Sequence, residues 1–485
     1  MTATPPTDTG PAPTPTTEPP SPPADRGAWN RWRPLLLRWH FYAGILIGPF
    51  ILVAAVTGLL YAVIPQVDAA VYRHELTVDH VGTQRIPLGE QIAAARSSHP
   101  EGTITAITPA TAADDTTRVM LAVDDVPVDH GRTVFVDPYT GEVRGALTTY
   151  GQWLPVRAWF DELHRTLHLG EIGRNYSELA ASWLWVVALG GLVLWIGYRR
   201  RTRKLRRLLV PDRAAPTRQR TLSWHGAVGV WIVVGLIVLA ASGLSWSRHA
   251  GANIADLRSA MAWTTPSVST SAVEPDTADT GHDGHDHGGA GGPSSEGDAL
   301  EGVDAVVRTA QEAGLQGPMN LTPPSEPGAA WVVKENKRDA PTRFDAVAID
   351  SDTHQIVDRV DFAQWPFMAK MTSWAINAHM GVLFGLVNQI VLALLAVGLI
   401  TVIVRGYLMW WRRRPTRLSH RTLPVAPRRG ALTTLKPGEA VAVVVVVAAV
   451  GWFVPLFGIP LVVFVVVDAL RGLIGSHRNA TEVTQ

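Results

Sequence analysis

Residues 39–44 read WHFYAG and residues 224–229 read WHGAVG, and each opens a long apolar run. A bilayer core favours leucine over histidine at such a place, so a histidine written there twice calls for a physical reason. The likeness continues downstream. Thr57-Gly58-Leu59 and Ser242-Gly243-Leu244 follow at the same distance, each a small hydroxyl residue before a Gly-Leu pair. The two stretches mark an internal repeat, and the rest of the chain can be read outward from it.

Composition places that repeat in a membrane. Of 485 residues, 47% are hydrophobic and 18% charged, and the excess forms uninterrupted apolar blocks. Blocks of about 20 such residues are the length of a spanning helix. Many of the 18 tryptophans flank the blocks, as an interfacial aromatic belt would. A net charge of +1 gives no argument for nucleic acid as a partner. The chain has no cysteine, which excludes disulfides, thiolate zinc sites, iron–sulfur clusters and covalent CxxCH haem attachment. No glycine-rich or Walker pattern stands in a strand–turn–helix setting, so no nucleotide cofactor is expected, and no HExxH or Ser/His/Asp arrangement argues for hydrolysis.

Four blocks read as spans: Leu35–Ile64, Ser182–Tyr198, Leu222–Trp246 and Met380–Trp411. Arg31, Arg33 and Arg38 precede the first, RRRTRKLRR (199–207) separates the second from the third, and RRR (412–414) follows the fourth. By the positive-inside rule these basic segments are cytoplasmic. The N-terminus is then cytoplasmic in a multi-pass protein of the cell inner (cytoplasmic) membrane, and the two long intervening segments lie outside. A fifth apolar region, Ala440–Leu470, is split by FVPLFGIP (453–460) into halves short for a crossing. It reads as a hairpin or as one kinked span, with Arg471 and Arg478 favouring the hairpin's return.

Both outer segments carry α+β patterning. In the first, residues 86–100 have helical spacing, and 117–124 and 132–143 read as strands with a turn at Asp137–Gly141. In the second, 302–314 is a helix and 329–335 and 344–360 are strands. The expected organisation is a disordered Pro/Thr-rich tail (1–30), a first span (33–64), an outer α+β domain (65–155), and an outer helix with the second span (156–198). A basic loop (199–221), a third span (222–247), a linker (248–298) and a second α+β domain (299–365) follow. The fourth span (366–411), a basic loop (412–438), the C-terminal hairpin or kinked span (439–472) and a tail (473–485) complete the chain. The fold class is an α-helical integral membrane protein of duplicated span–domain–span units.

Five histidines sit where chemistry is expected. His40 and His225 begin the first and third blocks, at the inner level. His379 begins the fourth block, and His164 and His168 precede the second, all at the outer level. The likeness of His168-Leu169-Gly170 to His379-Met380-Gly381 favours His168 as the partner of His379, while His164, four residues away, shares a helix face with it. A lone histidine near a span end is most often an interfacial polar residue. Four at two matched depths can instead grip two b-type haems, each iron held from both sides by facing helices. His282, His285 and His287, in GHDGHDHGG (281–289), are candidate metal ligands in a Gly/Ser-rich linker.

Several of these stretches together resemble the PepSY-associated transmembrane family. They are residues 163–195, the two WH-x3-G starts, AHMGVLFGLVNQ (378–389) and GYLMWWRRRP (406–415). VFVDPYTGEV (134–143) resembles the closing hairpin of a PepSY domain; the second copy, VAIDSDTHQIVDRV (347–360), lacks the Pro and Gly of its turn. The resemblance implies an iron-uptake-associated protein, similar to haem-dependent reductases of ferric siderophores, with His40, His164 or His168, His225 and His379 as its membrane histidines. Its partners would be the lipid bilayer, a ferric siderophore or other ferric complex outside, and a quinol or cytoplasmic electron donor. The alternatives are a non-enzymatic scaffold whose outer domains bind peptide or protein, and a metal-transport accessory that uses the His-rich linker.

Overall fold

The computed structural model describes residues 27–201, 207–270, 302–326, 328–412 and 431–482. The chain begins with α1 (Ala28–Leu46) and α2 (Gly48–Ala62), then the short α3 (Ile64–Val71) and α4 (Arg73–Leu76). Next come α5 (Leu88–Ser98), β1 (Thr103–Thr108), β2 (Thr117–Ala122), β3 (Gly131–Val136) and β4 (Val143–Thr149). α6 (Pro155–Thr166) leads into α7 (Gly170–Arg201), α8 (Thr217–Ser245) and α9 (His249–Ala260). The second outer segment holds α10 (Val303–Glu312), β5 (Met319–Thr322), β6 (Ala330–Glu335), β7 (Ala346–Asp350) and β8 (Ile356–Val360). α11 (Phe367–His379), α12 (Gly385–Trp411), α13 (Pro437–Phe453) and α14 (Pro455–Glu482) follow.

α7, α8 and α12 are each long and apolar enough to cross a membrane, and the bent pair α1–α2 makes a fourth candidate span. The protein is a helical, multi-pass membrane protein. α7 packs on α8, α8 on α12, α12 on α2, and α2 on α7, which closes a ring of four. The span expected over Leu35–Ile64 is built of two helices bent by 59°. Gly48-Pro49 causes the bend. Proline has no N–H to offer the Ile45 carbonyl one turn back, and its ring crowds that carbonyl. Tyr407 Oη donates to the stranded oxygen at 2.9 Å. It reaches over Gly48, where a Cβ would lie 3.1 Å from the hydroxyl.

The strands form one antiparallel sheet in the order β4-β3-β2-β1-β5-β6-β7-β8. Each half is a four-stranded meander. β1 and β5 join the halves, with Ile107 opposite Leu321. These are the two strands that the sequence patterning did not show. TITAIT is Thr-rich with both faces buried, so it shows no clear alternation, and β5 alternates over only four residues, too few to stand out. α5 and α10 share one apolar core with the sheet, in which Ile92, Ile107, Leu121, Val306, Leu321 and Trp331 are fully buried. In place of two separate outer domains there is one sheet over one core. Asp304 of α10 links the halves again: its carboxylate accepts from the N–H groups of Leu88 at 2.7 Å and Gly89 at 3.1 Å, the first turn of α5.

The two turns adopt one conformation although the second lacks the Pro and Gly of the first. Asp137 Oδ1 accepts from the N–H of Thr140 at 3.3 Å, and Asp350 Oδ1 from that of Thr353 at 2.8 Å. Gly141 closes the first turn at φ +74°, and His354 closes the second at φ +53°.

The C-terminal region is a hairpin. Glu439 near the start of α13 meets Arg31 at 2.9 Å, and Asp468 in α14 meets Arg38 at 2.7 Å, so both arms reach the same end of α1. Pro460 withholds an N–H from the Leu456 carbonyl, and the Trp183 indole donates to it at 3.1 Å. Asn253 Nδ2 donates to the Phe453 carbonyl at 2.8 Å. Gly451 and Gly458 let the arms touch: a Cβ on Gly458 would lie 2.7 Å from the Gly451 oxygen.

Removing the Asp304 carboxylate tests the link between the halves. Asp304→Ala should cost about 1 kcal/mol of local stability, and hydrogen exchange should accelerate at Leu88 and Gly89 before it does in β3.

Candidate functional site

His40 in α1 and His225 in α8 face one another with ring centres 6.1 Å apart and planes at 77°. His40 Nδ1 donates to the Val187 carbonyl of α7 at 3.0 Å, and His225 Nδ1 to the Val402 carbonyl of α12 at 2.9 Å. A carbonyl has two lone pairs, so each can serve its own helix and the imidazole together. One turn beyond each acceptor stands a glycine. A Cβ on Gly191 would lie 2.8 Å from His40 Cε1, and one on Gly406 3.6 Å from His225 Cε1. Gly44 and Gly229, one turn after the histidines on their own helices, border open space.

The second pair is His164 in α6 and His379, the last residue of α11, with ring centres 6.4 Å apart. His379 therefore ends a short helix and does not open the fourth span, which starts at Gly385. His164 Nδ1 lies 2.9 Å from Thr57 Oγ1, and His379 Nδ1 2.7 Å from Ser242 Oγ. Each hydroxyl directs its one hydrogen to its own helix, Thr57 to the Val53 carbonyl at 3.0 Å and Ser242 to the Val238 carbonyl at 2.7 Å. The imidazole N–H is then the donor in both contacts. Gly58 and Gly243 complete the pattern, with Cβ positions 3.1 Å from His164 Cε1 and 3.6 Å from His379 Cε1. The hydroxyl-Gly-Leu repeat noticed beside the WH stretches thus holds the outer histidines.

The contacts fix which outer histidines meet. His168 does not meet His379. Its backbone is left-handed at φ +56°, its side chain is exposed, and its ring packs on Trp159 at 4.8 Å between centres. The likeness of His168-Leu169-Gly170 to His379-Met380-Gly381 is a decoy. One constant interval relates His164 to His379, Val187 to Val402 and Gly191 to Gly406, and it also relates Gly170 to Gly385. The last two restart the spans at φ +54° and +53°. An ungapped register through those glycines was the available signal. His249 heads α9, where its N–H and that of Ala250 are held by the Glu178 carboxylate at 2.9 Å each. His282, His285 and His287 lie outside the described residues.

All four paired imidazoles carry their proton on Nδ1 and leave Nε2 as a lone-pair donor. That is the tautomer of a metal ligand oriented by an acceptor behind it. Two imidazole–metal bonds of about 2.0 Å end to end, with half a ring at each end, span about 6 Å, close to both pairs. Among the described residues no group of three or more His, Cys, Asp or Glu is placed to hold a metal ion. A metal at either pair would take two protein ligands, both imidazoles, a donor set that haem iron accepts. The two levels are about 25 Å apart, from His225 to Ser242 along α8 at about 1.5 Å per residue.

A family model of the PepSY-associated TM region matches residues 37–413. The chain belongs to that family. The matched region contains all four paired histidines and ends before the C-terminal hairpin. No curated protein matches the chain.

Above the outer pair lies a collar that the sequence did not announce. The buried Arg157 donates through Nε to Tyr61 Oη at 3.0 Å, and its guanidinium lies 3.6 Å over the Trp153 ring. Arg338 approaches the same ring at 5.3 Å. Burial pushes the Asp68 carboxyl up from 3.8 to about 6, against the pull of Arg157. The folded carboxyl binds its proton more tightly than the unfolded one. Its stabilising effect is therefore present at low pH and is lost as pH rises from 3.8 to about 6. Asp68→Asn should flatten the melting temperature over that window; an unchanged slope would place the titration elsewhere.

Proposed function

We propose that the protein conducts electrons across the membrane through two b-type haems, one between His40 and His225 and one between His164 and His379. It would deliver them to a ferric complex at the end of the bundle that carries the sheet. The observation that carries this reading is the matched build of the two pairs: opposed imidazoles, Nδ1 anchored to oxygen, Nε2 free, and glycine against each ring. We read the shared intervals as an internal duplication. Arg31, Arg33, Arg199–Arg201 and Arg412 gather at the opposite end, and by the positive-inside rule they support a cytoplasmic side there.

When bound, haem supplies a one-electron iron couple at each level. The chain's own residues do the rest. Val187, Val402, Thr57 and Ser242 aim the imidazoles and raise their basicity. Gly44 and Gly229 leave the space beside the inner pair that a flat group needs, and the ring of α2, α7, α8 and α12 excludes water. The cationic collar of Arg157 and Arg338 lies where an acceptor would approach from outside. Reduction of Fe(III) there weakens its hold on hard oxygen donors, which favour the smaller, more highly charged ion. A ferric siderophore fits that chemistry.

Purified protein from haem-replete cells should show reducible Soret and α-bands of b haem. His225→Ala and His379→Ala should each lose half the pigment, with different spectral components lost. His164→Ala should lose the same component as His379→Ala, and His168→Ala should lose neither. A colourless wild-type protein would overturn the reading and leave the scaffold alternative.

A further inference from the structure

Arg157 in α6 is nine-tenths buried, and its Nη2 has no hydrogen-bond partner. The rest of its head is held in place. Nε donates to Tyr61 Oη at 3.0 Å, and the guanidinium lies 3.6 Å over the Trp153 ring. Two carboxylates feel its charge, and neither forms an ion pair with it among the described residues. Asp68 of α3 is turned to the Arg157 backbone N–H, and Asp161 pairs with Arg165 at 3.4 Å. A buried guanidinium with no carboxylate on it is costly, so the position calls for an anion.

The place of Arg157 relative to the outer pair narrows the anion. Arg157 and His164 are seven residues apart, so they share one face of α6 about 10 Å apart along its axis. Both look toward α2, where Tyr61 takes Arg157 and Thr57, one turn away, holds His164. The same interval recurs on two other helices. Arg33 precedes His40 in α1, and Arg218 precedes His225 in α8, each by seven residues. α1 and α8 start at the basic end and α6 at the sheet end. Each of these arginines therefore lies beyond its histidine, away from the middle of the bundle. A b-type haem carries two carboxylates on one edge of its macrocycle. Held between opposed imidazoles, the macrocycle stands across the line that joins them, with its edges along the bundle. A carboxylate edge turned toward the hydrocarbon middle would be expensive, so it faces the end where the arginine sits.

We propose that Arg157 anchors a carboxylate of the outer haem. The proposal rests on the two-haem reading above and divides the collar. Arg157 serves the cofactor, and Arg338, half-buried on the same Trp153 ring, is left for the acceptor. Nη2 donates to a carboxylate oxygen, and the guanidinium cancels its charge. Arg33 and Arg218 are exposed and share the corresponding task at the inner level with water, so each matters less there. A carboxylate of the acceptor complex has the same chemistry, and the test separates the two sources.

The full chain in lipid nanodiscs is titrated potentiometrically at pH values above the Asp68 transition at about 6. The outer haem is the spectral component that His379→Ala lacks. In wild type its midpoint potential should stay level over that range. Arg157→Leu strips the carboxylate of its counter-charge. Reduction then takes up a proton there, and the midpoint should fall as pH rises. The variant should also lose its outer haem to excess apomyoglobin about 10- to 100-fold faster, the scale of one hydrogen bond to a charged group. Arg157→Lys should restore both properties, and Arg338→Leu should change neither. Arg157→Gln, which keeps a donor for Tyr61, gives the same reading where the leucine variant does not hold its fold. Unchanged potential and haem loss in the leucine and glutamine variants, or an equal shift in Arg338→Leu, would overturn the anchor. Slower reduction of ferric citrate with the haem unchanged would assign Arg157 to the acceptor and overturn it as well. A colourless wild type would instead overturn the two-haem reading, and the anchor with it.

Discussion

Backbone carbonyls buried in hydrocarbon need donors, and that constraint organises this protein more than any single contact. Proline at 49 and at 460 strands the carbonyls of Ile45 and Leu456, and Tyr407 and Trp183 answer from neighbouring helices. The first contact ties the bent span to α12. The second ties the C-terminal hairpin to α7. His40 and His225 follow the same logic in reverse: their N–H groups need acceptors where no water is at hand, and the carbonyls of Val187 and Val402 serve. Glycine near the acceptor in each case opens the helix surface enough for a ring to approach.

How much of this could be read from residues alone differs by element. The spans and the paired WH stretches were legible because apolar length and a misplaced polar residue are local signals. The hydroxyl-Gly-Leu repeat was visible too, but its partners were not, since Thr57 and Ser242 act on histidines more than a hundred residues away in the chain. The choice between His164 and His168 turned on backbone conformation at Leu167 and His168, both left-handed, which no side-chain pattern encodes. β1 and β5 were missed for a related reason: each pairs across to the other half, β1 is buried on both faces, and β5 is only four residues long. The bend at Pro49 was in plain sight and was passed over because the apolar run continues through it.

The outer sheet changes what the two halves mean to each other. Residues of both contribute to one core, and Asp304 of the second completes the first turn of a helix in the first. The spans below are therefore held at two places, by their own ring and by the sheet above it. α6 and α11 carry His164 and His379 between these layers, α6 against α2 and α11 against α8. The outer pair is built where soluble and lipid-embedded parts meet, and the inner pair wholly from spans.

Were a redox ion held between the rings, the grip on each would bear on speed. An imidazole anchored through Nδ1 with a glycine beside Cε1 would already be in position before any charge between the rings changed. Charge hops slowly wherever nuclei must rearrange first, and quickly where they are already in place. The glycines, which look like vacancies, are where neighbouring helices come close to the rings, most tightly at Gly191 beside His40 and Gly58 beside His164.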